Sequence, residues 1–184
     1  LEFRRVLFRS IKLASVNIFG NLYMVGKTSI SGLEDLKGKI VYNIGRNVTP
    51  DITLKYILKQ NNIEFEESET AIAGKVAFQY VSAGSEIMQL FANDSIEYAV
   101  LGEPAVSTCN LLRGTSVVLD IQAEWKKIFG SSYTQAGVVV SEELAADSAF
   151  VSSLLSALSE NEEFINNNTD RLKEILLGKR SEER

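Results

Sequence analysis

Three times between residues 38 and 113 a short β-branched or aromatic run passes through a tight loop into an amphipathic helix pattern. GKIVYNI, residues 38–44, leads through Gly45-Arg46-Asn47-Val48 into a run that stops at Asn61-Asn62. VAFQYV, residues 76–81, turns at Ser82-Ala83-Gly84-Ser85 and continues to Asn93-Asp94. IEYAVLG, residues 96–102, passes Glu103-Pro104 into AVSTCNLL. VVLDI, residues 117–121, is a further short strand. Strands that alternate with helices across short loops predict an α/β fold: a parallel sheet covered by helices on both faces.

The first helix has its own start signals. Thr49 is a good N-cap, Pro50 suits the first helical position, and Asp51 favours the positive helix end. Leu54, Ile57 and Leu58 fall on the apolar side. A second region begins with a strand from Gln135 to Val140. Ser141 reads as an N-cap with Glu142 and Glu143 behind it. Two amphipathic helices follow, with Phe150, Leu154, Leu155 and Leu158 expected in a core. Asn166-Asn167-Asn168 reads as a solvated turn between them.

Composition excludes several functions. The formal charge is −5. Residues 1–10 contribute three Arg and one Glu, and residues 180–184 two of each, so the body between them is −7. An acidic body without a basic run argues against nucleic acid. There is no histidine, which removes histidine-based acid–base chemistry, nucleophile activation and metal ligation. The lone Cys109 cannot form an internal disulfide and reads as a buried apolar residue. No apolar run approaches the roughly 18 residues that a membrane helix needs. No GxxxxGK or GxGxxG motif occurs, and no cofactor or metal is expected.

The two ends read differently from the body. Leu7-Phe8-Arg9-Ser10 back-translates as CTC TTC CGA TCT, and Arg180-Ser181-Glu182-Glu183 as AGA TCG GAA GAG. The strings are reverse complements and match a sequencing adapter. Residues 1–10 and 180–184 are therefore expected to be translated adapter around an internal fragment.

Several segments in order resemble the solute-binding proteins of ABC importers, in the branch of sulfonate-, nitrate- and thiamine-precursor-binding proteins. They are Gly20-Asn21-Leu22-Tyr23, Leu33-Glu34-Asp35-Leu36-Lys37-Gly38-Lys39, Thr49-Pro50-Asp51 with its helix, AVLGEPAV at 99–106, LDIQAEWKK at 119–127 and QAGVVVSEEL at 135–144. The resemblance covers residues 11–178. It implies a periplasmic-binding-protein fold of type II, two α/β lobes with ligand in the cleft and closure by hinge motion. It further implies that residues 11–35 are part of lobe 1 and the first crossover, and that 36–120 are a nearly complete lobe 2. Residues 121–132 are then the second crossover, and 133–179 return to lobe 1. The implied partners are a small polar or anionic organic solute and the permease of a membrane transporter. The implied place is the periplasm or cell exterior, free or lipid-anchored, with the membrane touched only indirectly.

In an open sheet, ligands sit at the carboxyl ends of strands beside helix N-termini, where free N–H groups suit anionic or strongly polar groups. Those places here carry Arg46, Asn47 and Thr49, then Ser82 and Ser85, then Glu103. Arg46 suits an acid and Glu103 a ligand amine or a hinge hydrogen bond. Thr49 serves as a helix cap or a ligand contact, and Arg46 as a ligand or a solvated loop residue. On the resemblance, Asn17, Gly20, Asn21, Tyr133 and Gln135 approach the cleft from the other side. Trp125 is expected to pack. Catalysis is not expected. An effector-sensing domain of a transcription regulator and a biosynthetic enzyme are the alternative readings on this architecture.

Overall fold

The computed structural model describes the backbone of residues 10–182 and the side chains of residues 10–175. The adapter expectation lies outside the described residues, apart from Ser10 and the helical backbone at 180–182. The chain divides into two compact units, Ile18–Gln135 on one hand and Leu1–Asn17 with Ala136–Arg184 on the other.

The larger unit holds a six-stranded sheet. Its strands are β2 (Leu22–Gly26), β3 (Ile40–Ile44), β4 (Phe65–Glu67), β5 (Val76–Val81), β6 (Tyr98–Gly102) and β7 (Ser116–Asp120), in the order β4-β5-β3-β6-β2-β7. The sheet is mixed rather than wholly parallel. β3 runs parallel to β5 and β6, and β4 parallel to β5. β2 is antiparallel to both β6 and β7, so it alone is reversed among the described strands of this sheet. β2 and the three-residue β4 carry too little pattern to be read beforehand. β2 also widens the unit beyond residues 36–120, because it is a central strand of the same sheet. Helix α4 (Ile121–Phe129) packs on β2 and β7 and widens it at the other end.

Helices cover both faces, as the alternation requires. On one face α1 (Thr49–Gln60) and α4 bury Leu54, Ile57, Leu58 and Ile121 against Val41, Phe78, Tyr98 and Val100. On the other, α2 (Gly84–Ala92) and α3 (Ala105–Arg113) bury Ile87, Phe91, Val106 and Cys109 against Val25, Ala99 and Leu101. Each fully buried large apolar side chain contributes about 1.5–3 kcal/mol. Cys109 is buried and free, as expected. Trp125 packs at 4.4 Å from the Phe129 ring and 5.3 Å from that of Tyr133.

The smaller unit contains β1 (Ile11–Ile18, whose last residue belongs to the larger unit), β8 (Ala136–Ser141), α5 (Glu142–Ala146), α6 (Ser148–Asn167) and α7 (Thr169–Glu182). β1 and β8 form a two-stranded sheet. Ser141 caps α5 by accepting from Leu144 N–H at 3.2 Å. The expected core does not form there. Phe150, Leu154 and Leu158 are only half-buried and Leu155 is exposed. Among the described residues of this unit, Val140 alone is buried. The two strands and three helices described there present too few facing surfaces to enclose an apolar stripe. The asparagine turn shortens to Asn168, whose amide returns to Phe164 O at 3.0 Å.

Candidate functional site

Five of the six strands run the same way, so α1, α2, α3 and α4 all begin at one edge of the sheet, after β3, β5, β6 and β7. Thr49 is the first residue of α1 and not its cap; Val48 holds the cap position and no side chain caps there. The third helical residue instead fixes the loop ahead of the helix. The Asp51 carboxylate is fully buried and accepts Asn47 N–H at 2.8 Å. It also accepts the Tyr80 hydroxyl at 2.9 Å and Lys55 Nζ at 3.0 Å. Asn47 holds a left-handed backbone, φ 58°, which this hydrogen bond secures.

Glu86 repeats the device at α2, whereas at α3 and α4 a carboxylate ahead of the helix accepts from its first turn. At α2, Glu86 accepts Ser82 N–H at 3.3 Å, and Ser85 is exposed in the first turn. At α3, Glu103 accepts Ser107 N–H at 3.1 Å and its hydroxyl at 2.9 Å. At α4, Asp120 accepts Ala123 N–H at 3.0 Å. Arg46 forms an ion pair with Glu67 and lies 5.3 Å from the Tyr80 ring centroid. Arg46, Glu67, Gln79 and Tyr80 line a pocket of about 490 Å³.

A second group gathers where residues 18–21 and 133–135 run together. Gln135 N–H donates to Ile18 O at 2.9 Å. Its side chain clasps Asn21 twice: Asn21 N–H donates to Gln135 Oε1 at 2.9 Å, and Gln135 Nε2 to Asn21 Oδ1. Gln122, at the start of α4, donates to Phe19 O at 2.7 Å and Tyr133 O at 3.4 Å, holding both segments. Gln122 was missed in the sequence; an exposed-looking glutamine in LDIQAEWKK carries no local sign of that reach. Gly20 explains the approach: its φ is +70°, and a Cβ there would lie 2.5 Å from the Gln122 side chain. Gly20→Ala is expected to cost about 1–3 kcal/mol, read from the urea midpoint. Adding Gln122→Ala removes the clash and recovers only the steric share. Asn17 belongs to the smaller unit, where it is exposed.

Three tyrosines are buried enough to resist ionisation. Tyr80, Tyr98 and Tyr133 are each pushed up to about 12, chiefly by burial; at Tyr80 Lys55 opposes the rise and Asp51 adds to it. For Tyr98 the main neighbour is Glu97 and for Tyr133 it is Asp120. The folded state favours the neutral phenols, so their stabilisation is complete below the unfolded value of about 10 and is lost as pH rises toward 12. A near-ultraviolet absorbance titration should find these three of the six tyrosines still protonated near pH 11. Ionisation of all six together near pH 10 would contradict the burial.

No family model matches the sequence, and no curated protein matches it significantly. Solved structures do share the fold. An ABC transporter structure from Parabacteroides distasonis is 22% identical, with TM-score 0.67 over 88% of this chain and 51% of that one. The periplasmic aliphatic sulphonate binding protein SsuA from Escherichia coli is 13% identical, with TM-score 0.61 over 88% of this chain and 52% of that one. A mutant of ArgBP from T. maritima is 15% identical, with TM-score 0.52 over 89% and 61% of the two chains. The chain spans about half the length of the first two. It therefore has the α/β fold of the periplasmic binding proteins, and these neighbours are transport and binding proteins. Among the described residues no helix is long and apolar enough to cross a membrane.

Proposed function

We propose that this chain is part of the solute-binding component of an ABC importer, capturing a small polar or anionic organic solute and delivering it to a membrane permease. The observation that carries this is the likeness to the Parabacteroides distasonis ABC transporter structure over 88% of the chain. In this reading the Ile18–Gln135 unit is the nearly complete second lobe, and the other unit is a part of the first. The binding edge comprises Arg46, Asn47, Thr49, Ser82, Ser85 and Glu103. Gly20, Asn21, Tyr133 and Gln135 lie along the segments that join the lobes, and Asn17 belongs to the first lobe. Residence in the periplasm or at the cell exterior, free or lipid-anchored, follows from the same reading. Kinship with the sulfonate-binding branch rests on the motif order, beside the structural likeness to SsuA.

Capture relies on hydrogen bonds closed off from water when the solute is bound. It involves no bond making. Thermal melts of the chain against a panel of polar organic solutes test the reading. A true solute stabilises the fold by about 2.7 kcal/mol at a hundred times its Kd. Failure of every solute in a broad panel to raise the melting temperature would overturn it.

A further inference from the structure

The four helices that begin at the loop edge of the six-stranded sheet each begin at a carboxylate of the chain itself. Glu103 and Asp120 accept N–H groups in the first turns of α3 and α4, while Asp51 and Glu86, in the first turns of α1 and α2, accept the loop N–H groups of Asn47 and Ser82. Positive helix ends are where an anion is ordinarily held. Here the chain's own acids stand at all four ends, and two of them, Glu103 and Asp120, are bonded to helix N–H groups. The edge's two cations are also engaged: Arg46 by Glu67, and Lys55 by Asp51 and Glu67. Those two cations and two acids cancel. Glu86, Glu103 and Asp120 make no ion pair among the described residues and are exposed, so they leave a negative balance that the helix ends offset only in part.

Asn43 adds an independent observation. It is fully buried in β3, and neither amide atom has a partner in the protein. It stands in parallel register with Tyr80, whose hydroxyl meets Asp51, so both side chains leave the same face of the sheet. A buried amide without partners is costly. It places an uncharged amide, and no cation, on the sheet face that α1 covers, just before the loop into that helix.

We infer that this edge selects against anions and holds the cargo by an uncharged or cationic polar group, with Asp51, Glu86, Glu103 and Asp120 as the residues that set that preference. The inference rests on the solute-binding reading and narrows its substrate class to amides, hydroxyls and amines over sulfonates, carboxylates and phosphates.

The test uses amide-resolved NMR of the 184-residue chain. Backbone signals of Gly45–Thr49, Ser82–Gly84 and Gly102–Glu103 are followed against acetamide, methylammonium and methanesulfonate at constant ionic strength. Acetamide and methylammonium should bind at least about tenfold more tightly than methanesulfonate at these amides. Asp51→Asn and Glu103→Gln should each narrow that gap by admitting methanesulfonate. If Asp51→Asn fails to fold, the exposed Glu103→Gln carries the comparison. Methanesulfonate binding as tightly as the other two in the unmodified chain would overturn the inference. So would an unchanged gap in a folded variant, or no response to any of the three probes. None of these results touches the solute-binding reading itself, which falls only if the broad solute panel fails.

Discussion

Asp51→Ala is expected to lower the stability of the Ile18–Gln135 unit by about 3–5 kcal/mol, the loss that follows when one partner of a buried charge pair is removed. Asp51 is fully buried, so its removal strands three groups at once. Lys55 loses its closest carboxylate, the Tyr80 hydroxyl its acceptor, and Asn47 N–H the bond that secures a left-handed loop. Asp51→Asn should cost less, because an amide oxygen still accepts Asn47 N–H. Pairing Asp51→Leu with Lys55→Met should recover much of the loss, since removing both charges removes the desolvation penalty as well. Denaturant midpoints with unchanged slopes check each step. A loss under about 1 kcal/mol for Asp51→Ala would place the carboxylate among solvated surface pairs and contradict its role in shaping the loop.

The second large effect concerns the two units. Hydrogen exchange should be at least about a thousandfold slower in β5 and β6 than in β8 and α6, because local opening spans the range from near zero to the global unfolding free energy. β5 and β6 lie inside a sheet covered on both faces, with Phe78, Tyr98, Ala99 and Val100 buried. Among the described residues β8 pairs with β1 alone, and Val140 is its single buried residue. Leu13, Val139, Leu144, Leu155 and Ile165 are exposed. Removing so little apolar surface from water leaves the smaller unit with a weak cooperative hold. Equal protection in both would show that the smaller unit is stabilised by more than its own packing.

The sequence made the strand–helix units of residues 38–113 legible because each carries its own punctuation. Pro50 and Asp51 mark the start of α1, and Asn61-Asn62 its end. Glu103-Pro104 marks the passage from β6 to α3. The reversal of β2 was not legible, because strand direction depends on tertiary pairing and not on composition. The same holds for the cap of α1. Thr49 has the right chemistry, but the helix begins one residue earlier in the turn, at a Val48 cap position that no side chain caps, and Asp51 reaches back to the loop N–H of Asn47. At the candidate site the residue types were readable at the loop ends. Their commitments were not: that Arg46 pairs with Glu67, that Glu103 holds Ser107, and that Gln122 spans two segments far apart in sequence are long-range or geometric facts. Asn43 was hidden inside a strand that reads as apolar. In the smaller unit the helical periodicity was real, but periodicity reports which face is apolar and not whether anything covers it.

The most direct measurement is calorimetric titration of the chain with the solute that most raises its melting temperature, followed by mass spectrometry of what is released. The account predicts saturable one-to-one binding and recovery of the solute chemically unchanged. Recovery of a product would make the chain part of an enzyme and contradict the account. So would heats that never saturate.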